Sequence, residues 1–298
     1  SGTSLAGLLS LWGEQQGGAG TLKFAFNIDP IGLLMRKGEV EGGIDAAFVR
    51  TAELSRLLCL RYPKSTTLRA DARPVHEAGG SEAQELGVLI AHAVDTMRRL
   101  ADQGYDASAY PSQTVFTLAA GGNYGIEIAK LRAARRLWAR VLDAMELEAE
   151  PMLLQSVSSA RMLTRYDPWV NMLRNTAACF ASAVGGADIV TVRAFNEALG
   201  VPEELGRRTA RNTQIIAMEE SGLGKIADPA GGAWFEETLA DELAEAAWAV
   251  FQEIEAEGGL VASLAKGNLQ KRIAEVREAR FAAIAKRKRP LTCVSEFP

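Results

Sequence analysis

Short runs rich in β-branched and aromatic residues alternate along this chain with longer stretches whose apolar positions recur every three or four residues. Residues 21–29 (TLKFAFNID), 113–120 (QTVFTLAA), 151–157 (PMLLQSV) and 188–194 (DIVTVRA) read as strands, and 65–71 (STTLRAD) reads as a weaker fifth. Between them, Leu86, Ile90, Ala93, Met97 and Leu100 fall on one helical face, as do Ile126, Ala129, Ala133, Leu137 and Val141. Residues 171–184 form a third helical stretch. It stops at Gly185-Gly186, where glycine supplies the left-handed conformation that often follows a helix. Beyond residue 235 the pattern is helical only. Leu239, Leu243, Ala246, Val250 and Ile254 make one stripe over 237–257, Gly258-Gly259 ends it, and 260–265 and 269–288 follow as further helices.

Strands alternating with helices predict parallel pairing through crossover helices, which leaves an open doubly wound sheet or a (β/α)8 barrel. Five strand candidates fall short of the eight a barrel needs. No G-x-G-x-x-G fingerprint follows any of them, so a dinucleotide-binding sheet has little support. Gly121-Gly122-Asn123-Tyr124-Gly125 stands at a strand-to-helix junction without that spacing and reads as a tight turn into a helix.

Composition narrows the function classes. The 298 residues are 48% hydrophobic and 23% charged, an ordinary globular make-up with a net charge of −4. That balance gives no basic face for nucleic acid. No apolar run reaches the ~20 residues a membrane helix needs, and no signal-peptide pattern opens the chain. Cys59, Cys179 and Cys293 match no metal spacing; isolated thiols of this kind suit a reducing, cytoplasmic location. The chain opens Ser1-Gly2 without methionine, which fits either a tag remnant or a cut within a longer protein.

Five ordered blocks carry more specific information: His76-Glu77-Ala78-Gly79, the run from Ile126 to Arg135 (IEIAKLRAAR), Asp167-Pro168-Trp169, Phe195-Asn196-Glu197-Ala198-Leu199, and Arg211 to Gly232 (RNTQIIAMEESGLGKIADPAGG). Together they resemble the adenosylcobalamin-dependent acyl-CoA mutases, of which methylmalonyl-CoA mutase is the type member. The resemblance runs from about Thr21 to Pro298. It implies a (β/α)8 barrel through which acyl-CoA threads, with strands equivalent to the fourth to eighth, so that the barrel is partial. Residues 1–235 would be that partial barrel. Residues 236–298 would be a helical extension of the same domain, ending at the linker to a cobalamin domain absent from this sequence. The cobalamin-ligating pattern D-x-H-x-x-G is also absent, and the only histidines are His76 and His92.

The same resemblance locates the groups that grip a thioester. Where catalytic members place a histidine, seven positions into a Gly-Gly-x-x-x-x-His run, this chain has Thr191. An arginine for the substrate carboxylate becomes Gln113, which hydrogen-bonds a carboxylate without neutralising it. The family's Q-E-A-G becomes His76-Glu77-Ala78-Gly79, and a polar Arg-Thr-His-Ser run becomes Leu153-Leu154-Gln155-Ser156. His76, Gln113, Gln155 and Thr191 are therefore the substrate-facing candidates, in degenerate form, and no catalytic, cofactor-binding or metal residue is assigned.

Plainer readings compete at several of these positions. His76 also reads as a surface-loop histidine, and His92 as a solvent-facing residue on a polar helical stripe. Asp228-Pro229 with Gly231-Gly232 reads as a turn device. Glu219 and Glu220 are neighbours that cannot face each other on a helix. Trp138, Trp169, Trp234 and Trp248 read as core or interface. Lys286-Arg287-Lys288-Arg289 reads as cations complementing a helix C-terminus.

The reading that follows is a degenerate small (β) subunit of methylmalonyl-CoA mutase, or a fragment of it. By itself it would be inactive. It would pair with a catalytic large subunit as a heterodimer, or self-associate, while the holoenzyme uses adenosylcobalamin to interconvert methylmalonyl-CoA and succinyl-CoA. Two alternatives stand beside it: an active cobalamin-dependent mutase acting on a different acyl-CoA, and a non-catalytic interaction protein. Five of eight strands would also leave two open edges and an exposed apolar interior, which invites association.

Overall fold

The computed structural model describes residues 2–16 and 20–297. Each β-rich run yields a strand, trimmed at its ends: β1 (Ala25–Ile28), β2 (Thr66–Asp71), β3 (Thr114–Ala120), β4 (Leu153–Ser158) and β5 (Ile189–Thr191). All four pairings are parallel and the spatial order is β1-β2-β3-β4-β5. The order never reverses, so the sheet lacks the switch point of a doubly wound fold. It is instead a curled half-barrel with helices packed on one side.

Helix α1 (Gly2–Gln15) precedes β1, and α2 (Pro30–Lys37) and α3 (Ile44–Arg61) link β1 to β2. None of these three is among the elements expected from periodicity. The short α4 (Arg73–Glu77) and the long α5 (Glu82–Asp102) follow β2, and α6 (Tyr110–Gln113) runs directly into β3. Then come α7 (Tyr124–Ala144), α8 (Val170–Val184) and α9 (Glu204–Ile215). The chain closes with α10 (Trp234–Ala256), α11 (Leu260–Lys266) and α12 (Asn268–Ala285). The last ends short of the anticipated Lys288, because Arg287 takes a left-handed φ of 53°.

Local chemistry fixes these boundaries. Ser81 and Gln84 form a reciprocal capping box at the start of α5: the Gln84 N–H donates to Ser81 Oγ and the Ser81 N–H to Gln84 Oε1. Asp29 caps α2 by accepting from the Gly32 N–H at 2.6 Å. Gly258 and Gly259 end α10 with φ of 101° and 96°, a conformation costly for any residue with a Cβ.

The main core lies between the convex face of the sheet and the helices. Leu68 and Ala70 of β2, Phe116 and Leu118 of β3 and Leu154 of β4 pack there against α5 and α7. Trp138 of α7 is 1% exposed and meets the Phe116 ring at 4.7 Å between centroids. Helix α10 forms an outer layer across α5 and α7. Its closest approach is at Gly87 of α5, where a Cβ would stand 2.7 Å from Val250 and 2.8 Å from the Ala247 carbonyl oxygen.

Burial corrects one expectation on α5. His92 is fully buried rather than solvent-facing. Its Nε2 lies 2.9 Å from Asp29 Oδ1 and its Nδ1 3.4 Å from Thr96 Oγ1. Residues Gln84 to Met97 of α5 are all buried, and His92 there faces Asp29 at the entry to α2 rather than water.

A buried ion network joins these layers at the exit of β3. Glu85 of α5 accepts the Ala119 N–H at 2.6 Å and a bond from Lys130 Nζ of α7 at 2.9 Å. Lys130 also donates to the Ala119 carbonyl and pairs with Glu127 at 2.6 Å. His76 Nδ1 lies 3.3 Å from Glu85 Oε2, while its Nε2 is bonded to Ser159 Oγ at 2.7 Å, just past β4. Glu85 and Lys130 are both 0% exposed. Burial alone would push the Glu85 carboxyl up, but Lys130, His76 and the Ala119 N–H outweigh it and hold the group down at about 2.

Three outcomes follow. Gly87→Ala should lower the urea midpoint by the equivalent of about 1–3 kcal/mol, because the clash at α10 exceeds the ~1 kcal/mol that alanine gains in a helix. Lys130→Met should cost about 3–5 kcal/mol by stranding two buried carboxylates, and Lys130→Met combined with Glu85→Gln should cost less than the two single changes together. The pH dependence has a definite sign. The folded Glu85 value lies below its ordinary 4.5, so its contribution is present above that value and is lost as pH falls toward 2. Glu85→Gln should therefore flatten the acid limb of a stability-against-pH curve measured by urea unfolding.

Candidate functional site on the concave face

Because side chains alternate along a strand, the residues opposite the core project into the hollow of the half-barrel. The apolar interior anticipated from the open sheet is interrupted there by a polar row, with Val115, Leu153, Val157 and Ile189 on the same face. Arg69 of β2 donates from Nε to Thr117 Oγ1 of β3 at 3.1 Å, and Thr117 donates to Gln155 Oε1 of β4 at 3.2 Å. Gln155 donates from Nε2 to Thr191 Oγ1 of β5 at 3.1 Å. Register places Thr117 directly opposite Gln155, whereas Arg69 reaches Thr117 and Gln155 reaches Thr191 diagonally, since Arg69 stands opposite Val115 and Gln155 opposite Ile189.

The four anticipated residues are not brought to one place. Gln155 and Thr191 touch. Gln113 is the last residue of α6, before β3 begins, and its Oε1 accepts from Cys59 Sγ at 3.2 Å and Thr67 Oγ1 at 3.5 Å. It lies four residues back from Thr117, ~13 Å along the strand at about 3.3 Å per residue, at the N-terminal end of the sheet. His76 is 1% exposed and held by Ser159 and Glu85, so it is neither a surface-loop histidine nor open to a ligand.

Charge concentrates at the C-terminal ends of the strands, where barrels place their ligand sites. Asp71, the last residue of β2, is fully buried among three arginines. Arg73 grips it bidentately with two 2.8 Å bonds, Arg36 reaches it at 2.8 Å and Arg69 at 3.2 Å. Burial would raise the Asp71 carboxyl; the Arg73 hydrogen bond and the three positive charges bring it down to about 2. Beside this cluster opens a cavity of about 440 Å³ lined by Arg73, Thr191, Arg193, Arg207 and Arg211. Arg193 is paired with Glu197 at 2.5 Å, and Arg207 donates to the Pro202 carbonyl. These arginines were missed in the sequence, although Thr67, Arg69 and Asp71 alternate with Leu68 and Ala70 and so mark a polar inward face.

Other motifs settle into structural roles. Asp228 adopts a φ of 47° and its carbonyl accepts from the Gly231 N–H, a turn pinned by an ion pair to Arg132. Trp138 and Trp248 pack in or against the main core, whereas Trp234 is 89% exposed. Among the described residues no group of three or more His, Cys, Asp or Glu could hold a metal, and no helix is long and apolar enough to cross a membrane.

Comparison with known proteins gives this architecture a family. A model described as methylmalonyl-CoA mutase matches residues 2–298. The methylmalonyl-CoA mutase small subunit of Streptomyces virginiae is 48% identical over 271 residues, covering 91% of this chain and 43% of that protein. The small subunit from Propionibacterium freudenreichii subsp. shermanii is 33% identical over 300 residues, covering the whole chain and 46% of its relative. The mitochondrial methylmalonyl-CoA mutase of Bos taurus is 34% identical over 237 residues, 78% of this chain and 32% of that protein. The chain thus spans less than half the length of each of these relatives. A match along its full length, together with a half-barrel whose ionic cluster lies at the strand exits, leads to one assignment: this chain belongs to the methylmalonyl-CoA mutase family.

Proposed function

We propose that this chain is part of a non-catalytic small subunit of methylmalonyl-CoA mutase and forms five strands of a (β/α)8 barrel, those equivalent to the fourth to eighth. In this reading it stabilises a catalytic large subunit that interconverts methylmalonyl-CoA and succinyl-CoA. The observation that carries the proposal is the closed state of the concave row. Gln155 spends its amide oxygen on Thr117 and its amide nitrogen on Thr191, and Asp71 holds Arg69 and Arg73. A site meant to polarise a thioester keeps donors aimed at empty space where charge will develop; here the polar groups satisfy one another.

Adenosylcobalamin supplies radical chemistry to the catalytic subunit when bound there. The residues of this chain do not fit a cobalamin held by imidazole. His92 is buried against Asp29 and His76 against Ser159 and Glu85. We therefore assign this chain no step in the rearrangement.

One observation favours a second reading, an active mutase on a different acyl-CoA: the arginine-lined cavity beside Thr191 would suit an anionic acyl group. The two readings separate experimentally. A full-length version of this chain, co-expressed with a catalytic mutase subunit, should co-purify with it. Alone with adenosylcobalamin it should yield no product from methylmalonyl-CoA or from a panel of other acyl-CoAs, followed by mass spectrometry. Turnover by the lone subunit, or its recovery as a well-folded monomer that ignores the catalytic subunit on size exclusion, would end the small-subunit reading.

A further inference from the structure

Trp138 of α7 carries a polar atom that its packing leaves without a partner. The side chain is 1% exposed, and its ring meets Phe116 at 4.7 Å and Tyr110 at 6.2 Å between centroids. These contacts satisfy the apolar body of the indole. Its N–H is also buried, yet it donates to no acceptor among the described residues. A buried tryptophan N–H ordinarily finds one, because a donor left unmade forfeits the hydration it has in the unfolded chain.

The same side chain borders a cavity of about 470 Å³ at the N-terminal end of β4, between the last turns of α7 and the segment that leads into the strand. That volume is roughly three times the ~150 Å³ of an apolar cavity able to take benzene. Ala139, Leu142, Leu147, Ala149, Pro151 and Met152 supply its apolar walls. Three charged residues complete the lining and narrow the choice of ligand. Arg135 is committed to the Met152 and Gly186 carbonyls and to Asp188. Asp143 and Glu150 are exposed carboxylates. The lining therefore opposes an anion and offers one neutral donor, the indole N–H.

We propose that this cavity binds a small neutral carbonyl compound, a ketone or ester, whose oxygen accepts the Trp138 N–H while its apolar body lies against Leu142, Leu147 and Met152. An ammonium brings no acceptor to the indole, and a carboxylate brings one at the cost of repulsion from Asp143 and Glu150. The site shares no residue with the concave row or the cavity beside Thr191, and it lies at the opposite end of the sheet from the ionic cluster around Asp71. It does not depend on the small-subunit reading.

The test is NMR titration of the intact chain with cyclohexanone, and with methylcyclohexane as a body of similar size that has no acceptor. The chain has five tryptophans, so Trp138 gives one of five indole N–H signals, identified by its loss in Trp138→Phe. A saturable downfield shift of that signal with cyclohexanone is expected, and none with methylcyclohexane. Trp138→Phe should weaken cyclohexanone binding about tenfold, the loss of one buried hydrogen bond, followed on the ligand's own signals. Ala139→Phe, at an exposed position on the cavity wall, should abolish the shift while the chain stays folded. Cyclohexanecarboxylate should bind more weakly than the ketone, and Asp143→Asn with Glu150→Gln should narrow that gap, a gain that no folding defect produces. A ketone that shifts the Trp138 signal no more than methylcyclohexane does, affinity unchanged in Trp138→Phe and Ala139→Phe alike, or tighter binding of the carboxylate would overturn the site.

Discussion

A full negative charge lies in the least accessible part of this protein, and much of the upper half of the sheet is arranged to satisfy it. Glu85 is 0% exposed, yet it faces Lys130, the Ala119 N–H and His76. Those partners come from α7, from β3 and from the turn after β2. Satisfying one carboxylate therefore fixes how the long helix α5 sits against the strand exits. An apolar replacement would bury as well but would not specify this geometry, because hydrophobic contact is non-directional. Lys130 adds a second constraint by binding the Ala119 carbonyl, so both polar atoms of one residue at the end of β3 are held by charged side chains.

The same logic governs the concave face. A half-barrel exposes its inward side chains, and an apolar lining would leave a large sticky surface. This chain interleaves Arg69, Thr117, Gln155 and Thr191 with the apolar Val115, Leu153, Val157 and Ile189 there, and the polar four bond across four strands. That arrangement is compatible with water or with a polar occupant of the completed barrel. It also pairs those polar groups with one another, so one set of hydrogen bonds ties four strands together across the hollow.

Parts of this were legible in the sequence and parts were not, for identifiable reasons. Strand β3 stood out because a parallel strand buried on both faces reads as a nearly continuous apolar run. Strand β2 looked weak because its inward residues are Thr67, Arg69 and Asp71, a pattern that shows a polar hollow once the curl of the sheet is known. His92 is buried against Asp29 at the entry to α2, a contact between residues 63 positions apart that no local periodicity carries. Gln155 reaches Thr191 diagonally across one face, since its register partner is Ile189. Gln113 does not join them, and here the sequence held a usable signal: a residue that precedes its strand lies at the N-terminal end of a parallel sheet, away from the exits where such folds bind ligands.

Charge at the strand exits is balanced from within the chain. Asp71 lies beneath Arg36, Arg69 and Arg73 with bidentate geometry, so that cluster is anchored around an internal anion. Arg161 is held differently: it donates to the His76 and Gly80 carbonyls, faces Glu82 at 3.6 Å and gives its backbone N–H to Glu77. It thereby ties the turn after β4 to the segment between α4 and α5, more than 80 positions back in the sequence. In both places a half-buried guanidinium joins segments that hydrophobic contact alone would leave free to slide, because its hydrogen bonds are directional where apolar packing is not.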